Sequence, residues 1–374
     1  MDKTDIAADT VVDGDRVVTR ARGRGPVLAR FARPTGPQTT LAVIADPHVS
    51  AQARGTWKVF HRTEARLRAA IRDANRLDVD GVVFLGDLTK DGASDEFDRV
   101  DALLSELNSP FVAVPGNHDV QKTNSAKTPP LEAFEAAYTP DSLPFCERIG
   151  GVDLIGLNSA STPDGSLSDT HAGAISTEQL AWLDSILVEA ENPIITMHHT
   201  VSGAPSYTEE LNDSEHYRIR NSTALADVLA AHDVDLVLSD HVHWPVVSRL
   251  ETTYELTAPA ACSLPQASLL LSIEPRGTTV SMEPLADRSG YVEAYRYANR
   301  GEGRSQTMTE RVENGGFSDR SLSSTRVSSM DRGAVRSNLG LALLPIPAGR
   351  RSADVRDDGT PRWKQDQRSG RAVH

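Results

Sequence analysis

Cysteine is nearly absent from this 374-residue chain. The two present, Cys146 and Cys262, lie far apart with no CxxC spacing, which excludes a disulfide framework and a zinc ribbon and leaves two reduced, buried thiols. Long apolar runs are also missing. The longest, Leu269 to Ile273 and Leu341 to Ile346, fall far short of the roughly 20 residues that a bilayer-spanning helix needs, so no membrane partner is expected. The opening stretch MDKTDIAADTVVDGD has neither a basic head nor an apolar segment, so it does not read as a secretory signal and a cytoplasmic location is expected. Lysine is scarce too, at 6 of the 39 basic residues, whereas 32 of the 52 acidic residues are Asp. That bias fits a halophilic protein kept soluble in concentrated salt, where screening weakens repulsion among carboxylates. A GC-rich genome, which favours Arg over Lys, is the alternative.

The net charge of −13 is unevenly placed: residues 301–374 carry 13 basic and 9 acidic side chains, leaving −17 on the first 300. An acidic body disfavours a broad nucleic-acid surface, because phosphate contacts come from Lys and Arg. With 39% hydrophobic and 24% charged residues, the chain can build one large or two modest cored domains. Residues 1–37, polar and rich in Gly, Pro and Arg, read as an N-terminal extension with room for one short strand. Residues 38–300 read as the folded domain. Residues 301–374 are rich in Ser, Arg, Gly and Asp with few aromatics, and are expected to be a mostly disordered tail.

Within the domain, LAVIAD, GVVFLGD and FVAVPGNHD are apolar runs that each end in polar residues, the pattern of buried strands whose C-terminal ends face a site. Amphipathic stretches at 60–75 and 97–107 separate them, which argues for βαβ units. GVDLIGLNS, NPIITMHH and VDLVLSDHVH repeat the theme, with a helix expected over 177–189. After Trp244 the pattern turns strand-rich without clear helices. The expected architecture is two mixed sheets packed face to face with helices outside.

Five polar clusters fall at the ends of these strands: Asp46-Pro47-His48, Gly86-Asp87, Gly116-Asn117-His118-Asp119, His198-His199 and His241-Val242-His243. Each alone has an ordinary explanation as turn chemistry or a structural histidine. Together they differ, because successive strand ends of an α/β sheet converge on one edge, where ligands bind. Carboxylates, an amide and imidazoles gathered in one place, with no Lys among them, need a cation to balance their charge and lone pairs.

In the order DxH, GD, GNHD, H and HxH, these clusters span residues 46–243 and resemble the calcineurin-like metallophosphoesterase superfamily. FLGDLTKDG and VPGNHDV are most similar to its bacterial and archaeal branch of cyclic-nucleotide phosphodiesterases and glycerophosphodiesterases. The resemblance implies an α/β fold, a four-layer α/β/β/α sandwich, holding two divalent metal ions. Manganese, iron and zinc all suit mixed His, Asp and Asn donors. It also implies hydrolysis of a small phosphodiester or phosphomonoester substrate by a hydroxide bridging the ions. Carried over residue by residue, Asp46, His48 and His243 bind the first ion, Asp87 bridges, and Asn117, His198 and His241 complete the second. Asn117 and His118 would contact the phosphate, and His118 would protonate the leaving oxygen. Asp119 either orients His118 or serves the turn.

The chain departs from the family pattern at three places. Thr200 and Val201 replace the prolines of HHPP, Lys90 stands where many relatives have an Asp, and Asp240 replaces the Gly of GHxH. Arg218 and Arg220, between the two histidine motifs, are candidates for holding a second phosphate oxygen or a substrate carboxylate. Two other functions remain open, a metal-dependent nuclease and a catalytically weak binding protein of the same fold.

Overall fold

The computed structural model describes residues 8–13, 16–21, 25–121, 128–169, 171–208 and 217–314. His216, most of the chain expected to be a disordered tail, and parts of the loops at 122–127 and 209–216 lie outside them.

β1 (Ala8–Asp13) and β2 (Arg16–Ala21) form a separate antiparallel ribbon. One six-stranded sheet contains β3 (Val27–Phe31), β4 (Thr39–Ile44), β5 (Gly81–Phe84) and β6 (Phe111–Ala113). The other contains β7 (Phe145–Ile149), β8 (Val152–Gly156), β9 (Pro193–Thr196), β10 (Leu236–Ser239), β11 (Val246–Leu250) and β12 (Thr253–Thr257), in the order β11-β12-β10-β9-β8-β7. β13 (Ala267–Glu274) and β14 (Gly277–Pro284) return to the first sheet, giving β3-β14-β13-β4-β5-β6. Both sheets are mixed: β4, β5 and β6 run parallel, as do β8, β9, β10 and β12, while β13 is antiparallel to β4.

The period-2 alternation of a strand explains why these segments read as unbroken apolar runs. Leu41, Val43, Val83 and Leu85 point inward with Leu154, Ile194, Leu236 and Leu238 of the facing sheet, and form the layer between the sheets. Their neighbours point outward. Ala42, Ile44, Val82 and Phe84 meet the helices Thr63–Leu77 and Ser94–Leu104 through Leu67, Ile71, Phe97 and Val100. Ile155, Ile195 and Val237 meet Leu183 of the helix Thr177–Ile186 and Leu225 and Leu229 of the helix Ser222–Ala231. The molecule is thus a four-layer α/β/β/α sandwich. Each such side chain fully buried contributes about 1.5–3 kcal/mol. Among the described residues no helix is long and apolar enough to cross a membrane.

A strand for which the N-terminal extension had room joins the domain, and the folded part continues past residue 300. β3 lies ahead of residue 38 and pairs with β14. Past residue 300, the helix Arg304–Glu313 packs with the helix Arg288–Ala298, which the sequence reading also lacked. Met308, Ala294 and Ala298 are buried against Val59, Val242, Trp244 and Leu264 at the end of the sandwich. The physical reason is local. So few apolar side chains anchor the last helix that its Ser- and Arg-rich composition reads as solvated.

Candidate metal centre

The strand ends β4, β5, β9 and β10 open on the same edge of the sandwich, and the loops that follow them are knitted by main-chain bonds. His48 N donates to Asp87 O (2.9 Å), Val49 N to Leu88 O (2.8 Å), Asp240 N to His198 O (2.9 Å) and Cys262 N to Asp46 O (3.2 Å). Close approach at two glycines makes this possible. Gly86 has φ 90°, and a Cβ there would lie 2.6 Å from Gly116 N; a Cβ on Gly116 would lie 2.1 Å from Asp87 Oδ1.

Asp46 (φ 44°), His48 (43°), Asp87 (50°), His241 (68°) and His243 (63°) all have left-handed backbones. Such a conformation is uncommon outside glycine and costs of order 1–3 kcal/mol per residue, so its concentration here marks a site whose shape the surrounding fold imposes. Asp240 is not among the residues with positive φ. Substitution of the family Gly is therefore tolerated without a glycine-like backbone, and the unusual conformation falls on His241 and His243, which follow it.

The side chains converge. His243 Nε2 is 2.9 Å from Asp46 Oδ2, and His48 Nε2 is 3.3 Å from Asp87 Oδ2. On the other side of Asp87, the same Oδ2 is 3.5 Å from His198 Nε2, which is 3.1 Å from His241 Nδ1. Four triads each bring one donor atom per residue within 4.8 Å of the others: Asp46, Asp87 and His198; His48, Asp87 and His118; His198, His199 and His241; His48, His243 and Cys262. Asn117 is buried beside them, with Nδ2 donating to Asp169 O (3.4 Å).

Ring orientation is set from behind. His198 Nδ1 meets Leu85 O (2.8 Å) and His243 Nδ1 meets Ser263 Oγ (2.9 Å), so in both residues Nε2 faces the centre. Burial pushes His48 and His241 well below the usual imidazole range, and pushes His243 down to about 3 against the pull of Asp46. Neutral rings keep a lone pair to give. Asp46 Oδ1 and His241 Nε2 are buried with no hydrogen-bond partner among the described residues. Orphaned acceptors of that kind, in a set of carboxylate and imidazole donors, fit divalent cations.

His118 N donates to Asp87 Oδ1 (2.9 Å), which places its ring at the mouth, 27% exposed, with Nε2 4.0 Å from Asp87 Oδ2. The group that orients the ring is the main-chain carbonyl of Lys90, which meets Nδ1. Of the two roles open to Asp119, orienting His118 or serving the turn, its hydrogen bonds fit the second, a structural clamp. Its Oδ1 accepts from Thr89 N (3.0 Å) and Thr89 Oγ1 (2.9 Å), and its Oδ2 from Leu88 N (3.0 Å) and Gly116 N (3.1 Å). Burial, with Asp87 nearby, raises its pKa to about 6.

Three functional neighbours escaped the sequence reading. Lys58 Nζ lies 2.8 Å from His48 Nε2, so a lysine does sit among the donors. Buried Glu255 accepts from Val201 N (2.7 Å), Ser202 N (2.8 Å) and Ser239 Oγ (2.8 Å), bracing the turn after His198 and His199. Arg304 Nη1 donates to His241 O (2.7 Å), its guanidinium lying 4.9 Å from the Trp57 ring and 5.1 Å from the Tyr217 ring. The arginine beside His241 thus comes from the segment expected to be mostly disordered. Arg218 is half-buried beside Thr200 and Arg220 is exposed, with its N–H on Gly173 O (2.9 Å). One signal was legible. Asp287 caps Gly290 N (2.8 Å), and Tyr291, Ala294, Tyr295 and Ala298 recur at helical spacing.

Residues 39–245 match the family described as Calcineurin-like phosphoesterase. Over 243 residues, 62% of this chain and 74% of the relative, the sequence is 27% identical to a probable cyclic nucleotide phosphodiesterase of Rhodococcus erythropolis. It is 26% identical to a 3',5'-cyclic adenosine monophosphate phosphodiesterase of Haemophilus influenzae, covering 60% of this chain and 77% of that one. A dimetal phosphatase from Danio rerio shares the fold, with a TM-score of 0.51 at 17% identity, covering 67% of this chain and 98% of that one.

Proposed function

The chain belongs to the calcineurin-like phosphoesterase family, and from that premise we propose that it hydrolyses a small phosphodiester with two divalent ions held across Asp87. The observation that carries this reading is the position of Asp87 Oδ2, 3.3 Å from His48 Nε2 and 3.5 Å from His198 Nε2. One carboxylate oxygen is shared by the two halves of the donor set, with Asp46, His48 and His243 on one side and Asn117, His198 and His241 on the other. Two divalent ions bound there supply Lewis acidity toward the phosphoryl oxygens and acidify a water.

The protein groups do the rest. Asp87 is fixed by His118 N–H, so its free oxygen stays between the two halves. His118 keeps Nδ1 on the Lys90 carbonyl, and its Nε2, exposed at the mouth, delivers a proton to the leaving oxygen. Arg304 adds positive charge beside His241 for an anionic substrate. The acidic body supports a small substrate over a nucleic acid.

The test is hydrolysis of bis(p-nitrophenyl) phosphate, p-nitrophenyl phosphate and 3',5'-cyclic AMP by the full chain with manganese, iron or zinc. Turnover of the diesters that a chelator abolishes is expected. Failure to turn over any ester with any of these ions would replace the enzyme with a binding protein of the same fold.

A further inference from the structure

Lys58 lies in the loop joining β4 to the helix Thr63–Leu77. Its neighbour Val59 is fully buried, left-handed (φ 46°), and packs with Trp244 and Leu264, while Lys58 N donates to Thr56 Oγ1 (3.2 Å). The loop is thereby pinned with Nζ 5.6 Å from the centre of the Trp57 ring and 2.8 Å from His48 Nε2. An ammonium only donates, so Nε2 is the acceptor and its lone pair is taken. That lone pair is the one His48 would give to the first ion. On the other side of Asp87, by contrast, His198 Nε2 faces a ring nitrogen of another proposed ligand, His241 Nδ1, and Arg304 binds a main-chain carbonyl, so among the described residues no ammonium or guanidinium is directed at a ring nitrogen there.

We propose that Lys58 is a built-in competitor of the first metal ion: ammonium and ion exclude each other at His48 Nε2, so the centre loads in two steps, the His198 and His241 side first. This rests on the two-ion reading above. At low metal concentration the protein holds one ion and the lysine. Occupancy of the first position requires the ammonium to leave, since two cations drawn to the same donor repel at short range. Full activity therefore needs more metal than the tighter step does.

The experiment is calorimetric titration of manganese into the metal-stripped full chain. The wild type should show two steps whose affinities differ by about tenfold or more. In Lys58→Met and Lys58→Gln, which keep an unbranched stem without the ammonium, the weaker step should tighten by about ten- to a hundredfold and the tighter one stay put. That is the factor expected for freeing a hydrogen bond to a charged group. In the wild type, acetic anhydride should modify Lys58 only once the second step is under way, as mass spectrometry would show. Lys58 labelling that ignores metal, or a weaker step that is unchanged or loosened in the variants, would overturn the proposal and leave the two-ion reading standing. A wild type that binds no ion would overturn both.

Discussion

Replacing Arg304 with Ala tests whether the segment beyond residue 300 is part of the centre. Its guanidinium donates to His241 O over 2.7 Å and lies 4.9 and 5.1 Å from the rings of Trp57 and Tyr217. A hydrogen bond from a charged group contributes about 1.5–3 kcal/mol, and each cation–π contact at a partly exposed position about 0.5–1 kcal/mol. The side chain is half-buried, so water recovers part of this, and a loss of about 2–3 kcal/mol is expected. Turnover should suffer more. The carbonyl that Arg304 holds belongs to His241, a proposed ligand with a left-handed backbone (φ 68°), and small displacements of catalytic groups are costly, so a fall of about tenfold or more is expected. Urea unfolding and diester hydrolysis measure the two effects, with Arg300→Ala as control. Arg300 is exposed, and its substitution should stay within about 0.5 kcal/mol of wild type. If Arg304→Ala matches Arg300→Ala in both assays, the last described helix has no part in the centre.

His118→Ala should keep its metal while turnover falls by about 10²–10⁴-fold, with a smaller fall for good leaving groups; equal losses for good and poor leaving groups would remove the acid role. Asp119→Ala strips four donors of their acceptor and should destabilise the protein by about 3–5 kcal/mol in thermal unfolding, with Asp119→Asn intermediate because one acceptor remains; a cost below about 1 kcal/mol would refute the clamp. Burial, and then Asp46, raise Asp240 well above the usual carboxylate range. Because the folded form holds this proton more tightly than the unfolded one, Asp240 favours folding in acid and loses that contribution as pH rises. Asp240→Asn, neutral throughout, should therefore gain stability relative to the wild type between pH 5 and pH 8 when both are metal-free, and the opposite trend in urea unfolding would refute the assignment.

The sandwich was legible because each central strand is buried on both faces, so Leu41 to Ile44 and Leu236 to Leu238 read as continuous apolar runs and the polar residue that ends each run marks the edge of the site. Proposed ligands were legible for the same reason, since His198 and His241 each stand two residues past the end of β9 and β10. What escaped depends on contacts between segments distant in sequence. Nothing around Lys58 indicates that its ammonium meets His48, and nothing in Gly-Glu-Gly-Arg, where the last helix begins, indicates that Arg304 reaches His241. Asp119, next to His118 in sequence, was open to two roles, orienting that ring or serving the turn, and its carboxylate turns to Leu88, Thr89 and Gly116. Adjacency along a loop fixes proximity of main chains and leaves side-chain direction open.

The proposed donors are divided between the sheets: Asp46, His48 and Asp87 follow strands of one, His198, His241 and His243 strands of the other. A cation held by both halves is a rivet through the shared apolar layer, and its binding free energy adds to the docking of the sheets, about 2.7 kcal/mol when the free ion stands at a hundred times its dissociation constant. Packing defects far from the edge then become conditional lesions. A Leu154→Ala change, costing about 2–5 kcal/mol in that layer, would be masked in a metal-replete cell and exposed under metal starvation, so an inherited core defect would present as a trace-nutrient requirement.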